Sequence, residues 1–256
     1  MQSQDAESGV VPFENSANGS VDTTLDCLVD RVDRFTSVTA IGEAFVEVQH
    51  CLLGLHSSAD GGGLQDVTDV YSHPQAFGQC HDFIMKHLKH AELHETASTS
   101  EAAHVVAAGK CPTAVAISSQ LAAEKYHLLV RRHGIQDQND NQTRFLILRN
   151  NFPPPETLAT DRPWSQMILI AFSIDHERPG ALADALDVFK RHRLNLTSLN
   201  SRPSRQTAWH YLFLVELECH GSPEQVATNI DSAFRELPSM TTKYEKKGSW
   251  IREKKA

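Results

Sequence analysis

The stretch VTDVYSHPQAFGQC (67–80) decides the fold of the first half of the chain. It reads as a strand, VTDVYS, that leads directly into a helix. The order continues with a helix at 98–109, a strand at 113–118, a helix at 119–127 and a last strand at 144–148. This alternation predicts a mostly parallel sheet with flanking helices, whose ligands bind outside the carboxyl ends of the strands.

The second half of the chain has a different pattern. Residues 166–250 read as strand, helix, strand, strand, helix and strand, the βαββαβ order of a ferredoxin-like α+β domain. Residues 150–165 hold four prolines and are predicted to form a linker. We therefore divide the chain into an α/β domain at 1–149, this linker, the second domain and a tail at 251–256.

The composition narrows the range of partners. The chain has 256 residues, 40% of them hydrophobic, and a formal net charge of −8. An acidic balance argues against nucleic acids and anionic membranes, which require a basic surface. No apolar run reaches the ~18 residues of a membrane span. The five cysteines include no Cys-x-x-Cys pair, which favours reduced thiols in the cytoplasm over a structural zinc site.

Two helix starts in the first domain carry the same capping pattern. Ser72–Gln75 and Ser98–Glu101 both fit the sequence Ser/Thr-x-x-Glu/Gln. Helix capping alone accounts for both. In the alternative interpretation, the backbone N–H groups of the two helix starts face one cleft and bind an anion, and Gln75, Ser98 and Thr99 are further donors.

Two other polar groups lie next to strands of this domain. Glu14, Asn15 and Ser16 follow the first strand, where an Asx-type turn explains them equally well. The residues Thr-Arg-Phe (143–145) begin the last strand, where the simpler interpretation is a strand entry with a solvent-facing arginine.

Histidines recur at helical spacing in the predicted helix 76–94. His87, His90 and His94 share one face of that helix, which makes a metal site conceivable. No supporting carboxylate is evident, so a solvated histidine face is the favoured interpretation and no metal is expected.

Four motifs occur together in a characteristic order: GVVPFENSANGSV (9–21), SHPQAFGQC (72–80), STSEAAHVV (98–106) and IQDQNDNQTRF (135–145). In this order they resemble the prephenate dehydratase family. The segment GALADALDVFKRHRLNLTSLNSRPSR (180–205) is similar to the regulatory ACT domain of the same family. The resemblance implies a two-lobed, periplasmic-binding-protein-like catalytic domain followed by the ACT domain.

The resemblance also implies the reaction. Prephenate would lose water and carbon dioxide to give phenylpyruvate, and because aromatisation drives the step no cofactor is needed. Thr143 would donate a hydrogen bond to the departing oxygen, Arg144 would bind a carboxylate, and Phe145 would form an apolar wall for the ring. Glu14 would orient Asn15 or act as the acid. Asn15 and Gln75 would also be catalytic residues. The remaining predicted substrate contacts are Ser16, Ser72, His73, Ser98 and Thr99.

The ACT resemblance implies feedback by phenylalanine, bound between two such domains. The expected effector residues are Gly180, Ala181, Leu182, Asn195, Leu196, Ser201, Arg202 and Pro203. A homodimer or homotetramer follows from the pairing of ACT domains. The family's Glu-Ser-Arg-Pro motif reads Asn200-Ser-Arg-Pro here, which removes a carboxylate from that site.

The family pattern places a strand, a Gly-Pro-x-Gly-Thr-type loop and a helix before the GVVP strand. This chain begins almost on that strand, so a truncated first lobe is expected. Two alternatives therefore stay open. The chain is a catalytically inactive module that binds an amino acid through its ACT domain, or it is an enzyme that takes arogenate in place of prephenate.

Overall fold

The computed structural model describes residues 6–55, 63–150 and 164–253. These residues form two compact units. Unit 1 contains the chain up to Val46 and from Thr143 onward, and unit 2 contains Glu47–Gln142. Most of the predicted linker, residues 151–163, lies outside the described residues, as do the last three residues of the predicted tail.

The strands are β1 (Ser8–Asn15), β2 (Gly19–Ser20), β3 (Val38–Glu47), β4 (Cys51–Gly54), β5 (Asp69–Ser72), β6 (Glu92–Glu95), β7 (Val115–Ser118), β8 (Leu129–Arg132), β9 (Gln142–Asn150), β10 (Trp164–Ser173), β11 (Asn195–Pro203), β12 (Tyr211–Cys219) and β13 (Lys243–Glu253). The helices are α1 (Asp22–Leu28), α2 (Pro74–Gln79), α3 (His81–His87), α4 (Thr99–Ala107), α5 (Gln120–Tyr126), α6 (Ala181–Arg191) and α7 (Pro223–Glu236).

Unit 2 is a five-stranded sheet in the order β6-β5-β7-β4-β8. β5 pairs in parallel with β6 and β7, as the alternation of strands and helices predicts, whereas β4 runs antiparallel to β7 and β8. The strand residues Leu52, Leu53, Val70 and Ile117 are fully buried. Adjacent strand residues are thus apolar on both faces because helices cover both sides of the sheet.

One predicted helix of unit 2 is wrong. The segment read as a continuous helix over 76–94 forms the short helices α2 and α3 and then strand β6. The last residues pair with β5, Glu92 opposite Asp69 and His94 opposite Tyr71, so strand pairing overrides their helical pattern. His94 therefore lies on a strand, and the predicted face of three histidines does not form. Strand β8 was also missed.

Unit 1 is built on an eight-stranded sheet in the order β11-β12-β10-β13-β3-β9-β1-β2. Strands β10–β13 with helices α6 and α7 give the predicted βαββαβ arrangement, with β10 antiparallel to β12 and β13. Alternate residues of β10 serve two cores. Ile168 and Ile170 pack with residues of α6 and α7, whereas Met167 and Leu169 pack with residues of α1 and β9.

The two halves of this sheet meet where β13 runs parallel to β3, with Gly248 opposite Ala40. A Cβ at position 248 would collide with the carbonyl oxygen of Ala40, so the close approach requires glycine. In the parts of both units that the structure describes, no helix has the length and apolarity to cross a membrane.

Candidate active site and effector region

Strand register in unit 1 brings Asn15 and Thr143 together. β1 and β9 are antiparallel, and the pairing sets Asn15 opposite Thr143 and Glu14 opposite Arg144. The Asn15 Nδ2 donates to Thr143 Oγ1 at 3.1 Å. The Asn15 Oδ1 accepts from the backbone N–H of Ala17 at 3.0 Å, so the Asx turn forms as well. The turn fixes the amide that points at the threonine hydroxyl.

Arg144 is buried, which contradicts its interpretation as a solvent-facing strand residue. Its Nη1 donates to Glu216 Oε1 at 2.9 Å and to Glu43 Oε2 at 3.3 Å. Its Nη2 donates to Glu14 Oε2 at 3.0 Å, and the guanidinium lies over the ring of Phe13 at 4.8 Å. Because burial of a guanidinium requires paired charges, the sheet supplies carboxylates from three other strands.

Glu43 and Arg252 extend this charge network. Arg252 Nη2 donates to Glu43 Oε2 at 2.6 Å, and Arg252 Nε contacts the other carboxylate oxygen. Burial alone would raise the pKa of Glu43, but the hydrogen bonds and charge of Arg252, together with the charge of Arg144, outweigh burial and lower that pKa. Glu43 is thus held as a carboxylate beside the two arginines.

In unit 2, capping at Ser98 is confirmed and capping at Ser72 is wrong. Ser98 Oγ accepts from the N–H of Glu101 at 3.0 Å. Helix α2 is instead capped by His73, whose Nδ1 accepts from the N–H of Gln75 at 3.2 Å. Pro74 at the first helical position favours an extended residue before it, which makes His73 the cap. Ser72 is fully buried in β5 and donates to a backbone carbonyl of β7 at 2.8 Å.

Three helix starts lie at the carboxyl edge of the unit 2 sheet. β5 runs parallel to its neighbours β6 and β7. Helix α2 follows β5, α4 follows β6, and α5 follows β7. The structure thereby brings Gln75 of α2 to the same edge as Ser98 and Thr99 of α4. The third start belongs to the helix predicted at 119–127 but was not among the predicted site residues; there Ser119 Oγ accepts from the N–H of Ala122 at 3.2 Å. Ser118 and Ser119, which lie between an apolar strand and a helix, were the sequence feature that could have indicated this site.

Unit 1 carries Glu14, Asn15, Ser16, Thr143, Arg144 and Phe145. Unit 2 carries Ser72, His73, Gln75, Ser98 and Thr99. Each set is clustered within its own unit, one along the β1–β9 pair and the other at one edge of the five-stranded sheet.

The family model of prephenate dehydratase matches residues 1–152, and that of the ACT domain matches residues 173–235. The chain belongs to the prephenate dehydratase family.

Individual relatives agree with this membership. A bifunctional chorismate mutase/prephenate dehydratase of Aquifex aeolicus is 34% identical over 98% of this chain, and the match covers 62% of that protein. A prephenate dehydratase of Methanocaldococcus jannaschii is 33% identical over 82% of this chain and 71% of its own length. The chain thus spans about three fifths of the first of these relatives.

A solved structure supports the fold. The prephenate dehydratase of Arthrobacter aurescens in complex with L-Phe superposes with a TM-score of 0.80 at 27% sequence identity. The match covers 98% of this chain and 77% of that one. The fold is therefore the periplasmic-binding-protein-like α/β arrangement of this family followed by a ferredoxin-like ACT domain.

The ACT helix α6 begins as the family motif predicts. Gly180 is its N-cap with φ of 80°, a conformation that favours glycine. The N–H of Ala181 donates to the carbonyl oxygen of Arg178 at 3.2 Å, so a turn inside the chain already uses this predicted donor. Leu182 packs against the core of the ACT domain.

The remaining effector residues lie at opposite ends of β11. Asn195 and Leu196 open the strand, and Ser201, Arg202 and Pro203 close it. Six residues of extended chain span roughly 20 Å. Within a single chain, one bound phenylalanine molecule therefore cannot contact both groups.

Arg202 is paired with helix α1, which lies outside the ACT domain. Its Nε donates to Asp26 Oδ1 at 2.7 Å, and its Nη1 lies 3.0 Å from Asp22. Hydrogen bonds from Arg202 and then from Arg31 hold the pKa of Asp26 far below its usual range. Asn200, which stands where the family motif has Glu, also contacts a residue outside the ACT domain, because its Oδ1 accepts from Ser20 Oγ at 3.0 Å.

Proposed function

We propose that the chain is a prephenate dehydratase that converts prephenate to phenylpyruvate and is inhibited by phenylalanine. The observation that carries this proposal is the hydrogen bond from Asn15 Nδ2 to Thr143 Oγ1. Two motifs that are 128 residues apart in the chain meet there. Both belong to the region that matches the family model.

The hydrogen bond supports a chemical role for Thr143. Its oxygen accepts from Asn15, so its own hydrogen can point toward another acceptor. A hydroxyl that accepts one hydrogen bond donates the next one more strongly. Thr143 would thus donate to the hydroxyl oxygen that leaves prephenate, where negative charge develops in the transition state.

The carboxylates of prephenate need hydrogen-bond donors, and most of the donors of Arg144 are already used. Both of its terminal nitrogens already contact glutamates. We therefore propose that Arg144 fixes the β1–β9 pair and acts as a positioning residue. Within unit 2, we propose that the start of α4 at Ser98 and Thr99 binds a carboxylate through N–H groups and hydroxyls, and that Gln75 contributes its side-chain amide. Phe145, half-buried on β9, remains the proposed apolar wall.

Effector binding is proposed to need two copies of the chain. β11 is an edge strand of its sheet, and its side chains Leu196 and Leu199 are about 40% exposed. Antiparallel pairing of β11 with a second β11 would bring the start of one strand to the end of the other. Asn195 and Leu196 of one copy would then meet Ser201 and Arg202 of the partner. We expect this homodimer in the cytoplasm, where the five free thiols stay reduced.

The activity is tested with prephenate at neutral pH, since acid converts prephenate without an enzyme. Phenylpyruvate is measured by its absorbance in base, and arogenate is assayed in parallel by the phenylalanine formed. We expect turnover of prephenate that added phenylalanine suppresses. A folded chain that binds phenylalanine in calorimetry and turns over neither substrate would refute the proposal in favour of a regulatory module.

A further inference from the structure

Three side chains of types that can ligate a metal ion lie together at the amino edge of the unit 2 sheet, away from the helix starts. Asp69 opens β5, and Glu92 and His94 lie on the neighbouring β6. The parallel register pairs Asp69 with Glu92 and Tyr71 with His94, so all three potential ligands project from one face. One ligand atom of each lies within 4.8 Å of the others.

Surrounding side chains hold two of these groups in place. His94 Nε2 lies 2.7 Å from Asp69 Oδ1, and the ring of Tyr71 stacks on His94 with the centroids 4.6 Å apart. The other oxygen of Asp69 accepts from Thr68 Oγ1 at 2.6 Å and lies 3.6 Å from the Cys111 thiol. Donors to the far oxygen leave Oδ1 directed at His94, as supporting contacts do around metal-bound carboxylates.

Glu92 distinguishes this cluster from an ordinary Asp–His pair. It lies directly opposite Asp69 on the adjacent strand. Two like charges at opposed positions of neighbouring strands destabilise the sheet. A dication between the two carboxylates would remove this repulsion, whereas the histidine alone neutralises at most one of them.

We propose that Asp69, Glu92 and His94 bind Zn²⁺ or a similar divalent transition-metal ion. The imidazole ligand selects against Mg²⁺ and Ca²⁺, which prefer sets of oxygen ligands. In a tetrahedral site with bonds of about 2.0 Å the ligand atoms are roughly 3.3 Å apart. The ion would thus replace the hydrogen between His94 and Asp69 and widen their present separation of 2.7 Å. Both side chains are partly exposed, so the ion can enter from solvent with water as fourth ligand.

The first test measures metal binding to the full chain without an affinity tag, after treatment with a chelator. Zn²⁺ is titrated against a coloured chelator in the presence of excess Mg²⁺. We expect one ion per chain, and we expect His94→Gln and Asp69→Asn each to lower the affinity at least about tenfold. His90→Gln and Glu95→Gln are matched controls, because Glu95 lies on the other face of β6. Absence of binding, or equal losses in the controls, would overturn the site.

Glu92→Gln is expected to raise the stability of the metal-free protein and to lower the stability that the protein gains from Zn²⁺. Without metal, loss of the opposed carboxylate should raise the melting temperature, because the repulsion with Asp69 is removed. With Zn²⁺, the same variant should gain less stability than the wild type. A variant that is less stable without metal and gains as much from Zn²⁺ as the wild type contradicts the proposal.

A measurement on the wild type alone covers the case in which a variant fails to fold. Histidines are modified with diethylpyrocarbonate, with and without Zn²⁺, and the modified peptides are quantified by mass spectrometry. We expect Zn²⁺ to protect His94 and to leave the exposed His90 unchanged. Equal modification of His94 in both samples would exclude it as a ligand.

Discussion

Arg144 of β9 donates to Glu216 of β12 at 2.9 Å, and both side chains are buried. The contact joins the strand that carries Thr143 to a central strand of the ACT domain. Thr197 at the start of β11 donates to the same Glu216 oxygen at 2.9 Å. We therefore expect a displacement of the ACT edge strand to act on the charge network beside the proposed catalytic threonine.

Loss of this carboxylate should destabilise the chain. Glu216→Leu leaves Arg144 buried with fewer partners, and removal of one member of a buried pair costs about 3 kcal/mol or more. Denaturation by urea measures this cost. Asp187→Leu, which removes the exposed partner of Arg191 on α6, is the control, and we expect about 1 kcal/mol or less for it. Equal losses in the two variants would show that the network contributes no special stability.

The cap of α4 separates stability from substrate binding. Ser98→Ala should cost about 1 kcal/mol of unfolding free energy, as loss of a capping hydroxyl usually does. Ser222→Ala removes the equivalent cap of α7 in the ACT domain and should cost a similar amount. Only Ser98→Ala is expected to raise KM for prephenate. An unchanged KM would remove Ser98 from the proposed substrate site.

The ion pairs of Asp26 predict how stability depends on pH. The pKa of Asp26 is lowered on folding, so its contribution is complete above the unfolded value of about 3.9 and declines as the pH falls toward the folded value. Asp26→Asn should therefore be less stable than the wild type at pH 7, and the difference should shrink below about pH 4. A difference that stays constant from pH 7 to pH 3 would contradict this account.

The β11 edge links assembly to effector binding. Leu199→Lys places a charge on the exposed edge and should convert the dimer to monomers in sedimentation experiments. Phenylalanine binding should be lost together with the dimer, because the effector residues of one chain lie at opposite ends of β11. Leu121→Lys on helix α5 is the control for an exposed leucine elsewhere. A monomer that binds phenylalanine with unchanged affinity would contradict the proposed shared site.

The sequence predicted most elements because their patterns are local. Strands β5 and β7, helix α4 and the βαββαβ order of the ACT domain follow from periodicity and capping residues. The segment at 92–95 was misread because its strand exists only through pairing with β5, which lies more than 20 residues earlier. The boundary between the units could not be predicted from local patterns either. Strand β9 pairs with β1, although all of unit 2 lies between them in the sequence.

The candidate site was predicted in its residue types and only partly in its contacts. The positions of Asn15 and Thr143 in their motifs were clear, and their contact then follows from strand register. The environment of Arg144 was not predictable, because its partners Glu43 and Glu216 come from distant strands without a motif. The same is true of Glu92 beside Asp69.

The most direct test of the account compares Thr143→Ser with Thr143→Val in prephenate turnover at neutral pH. Serine keeps the hydroxyl that accepts from Asn15, and valine keeps the shape of threonine without it. We expect Thr143→Ser to retain most of kcat and Thr143→Val to lose about 10²–10³-fold, the usual cost of one donor to developing negative charge. Equal turnover by Thr143→Val and the wild type would show that the Thr143 hydroxyl takes no part in the reaction.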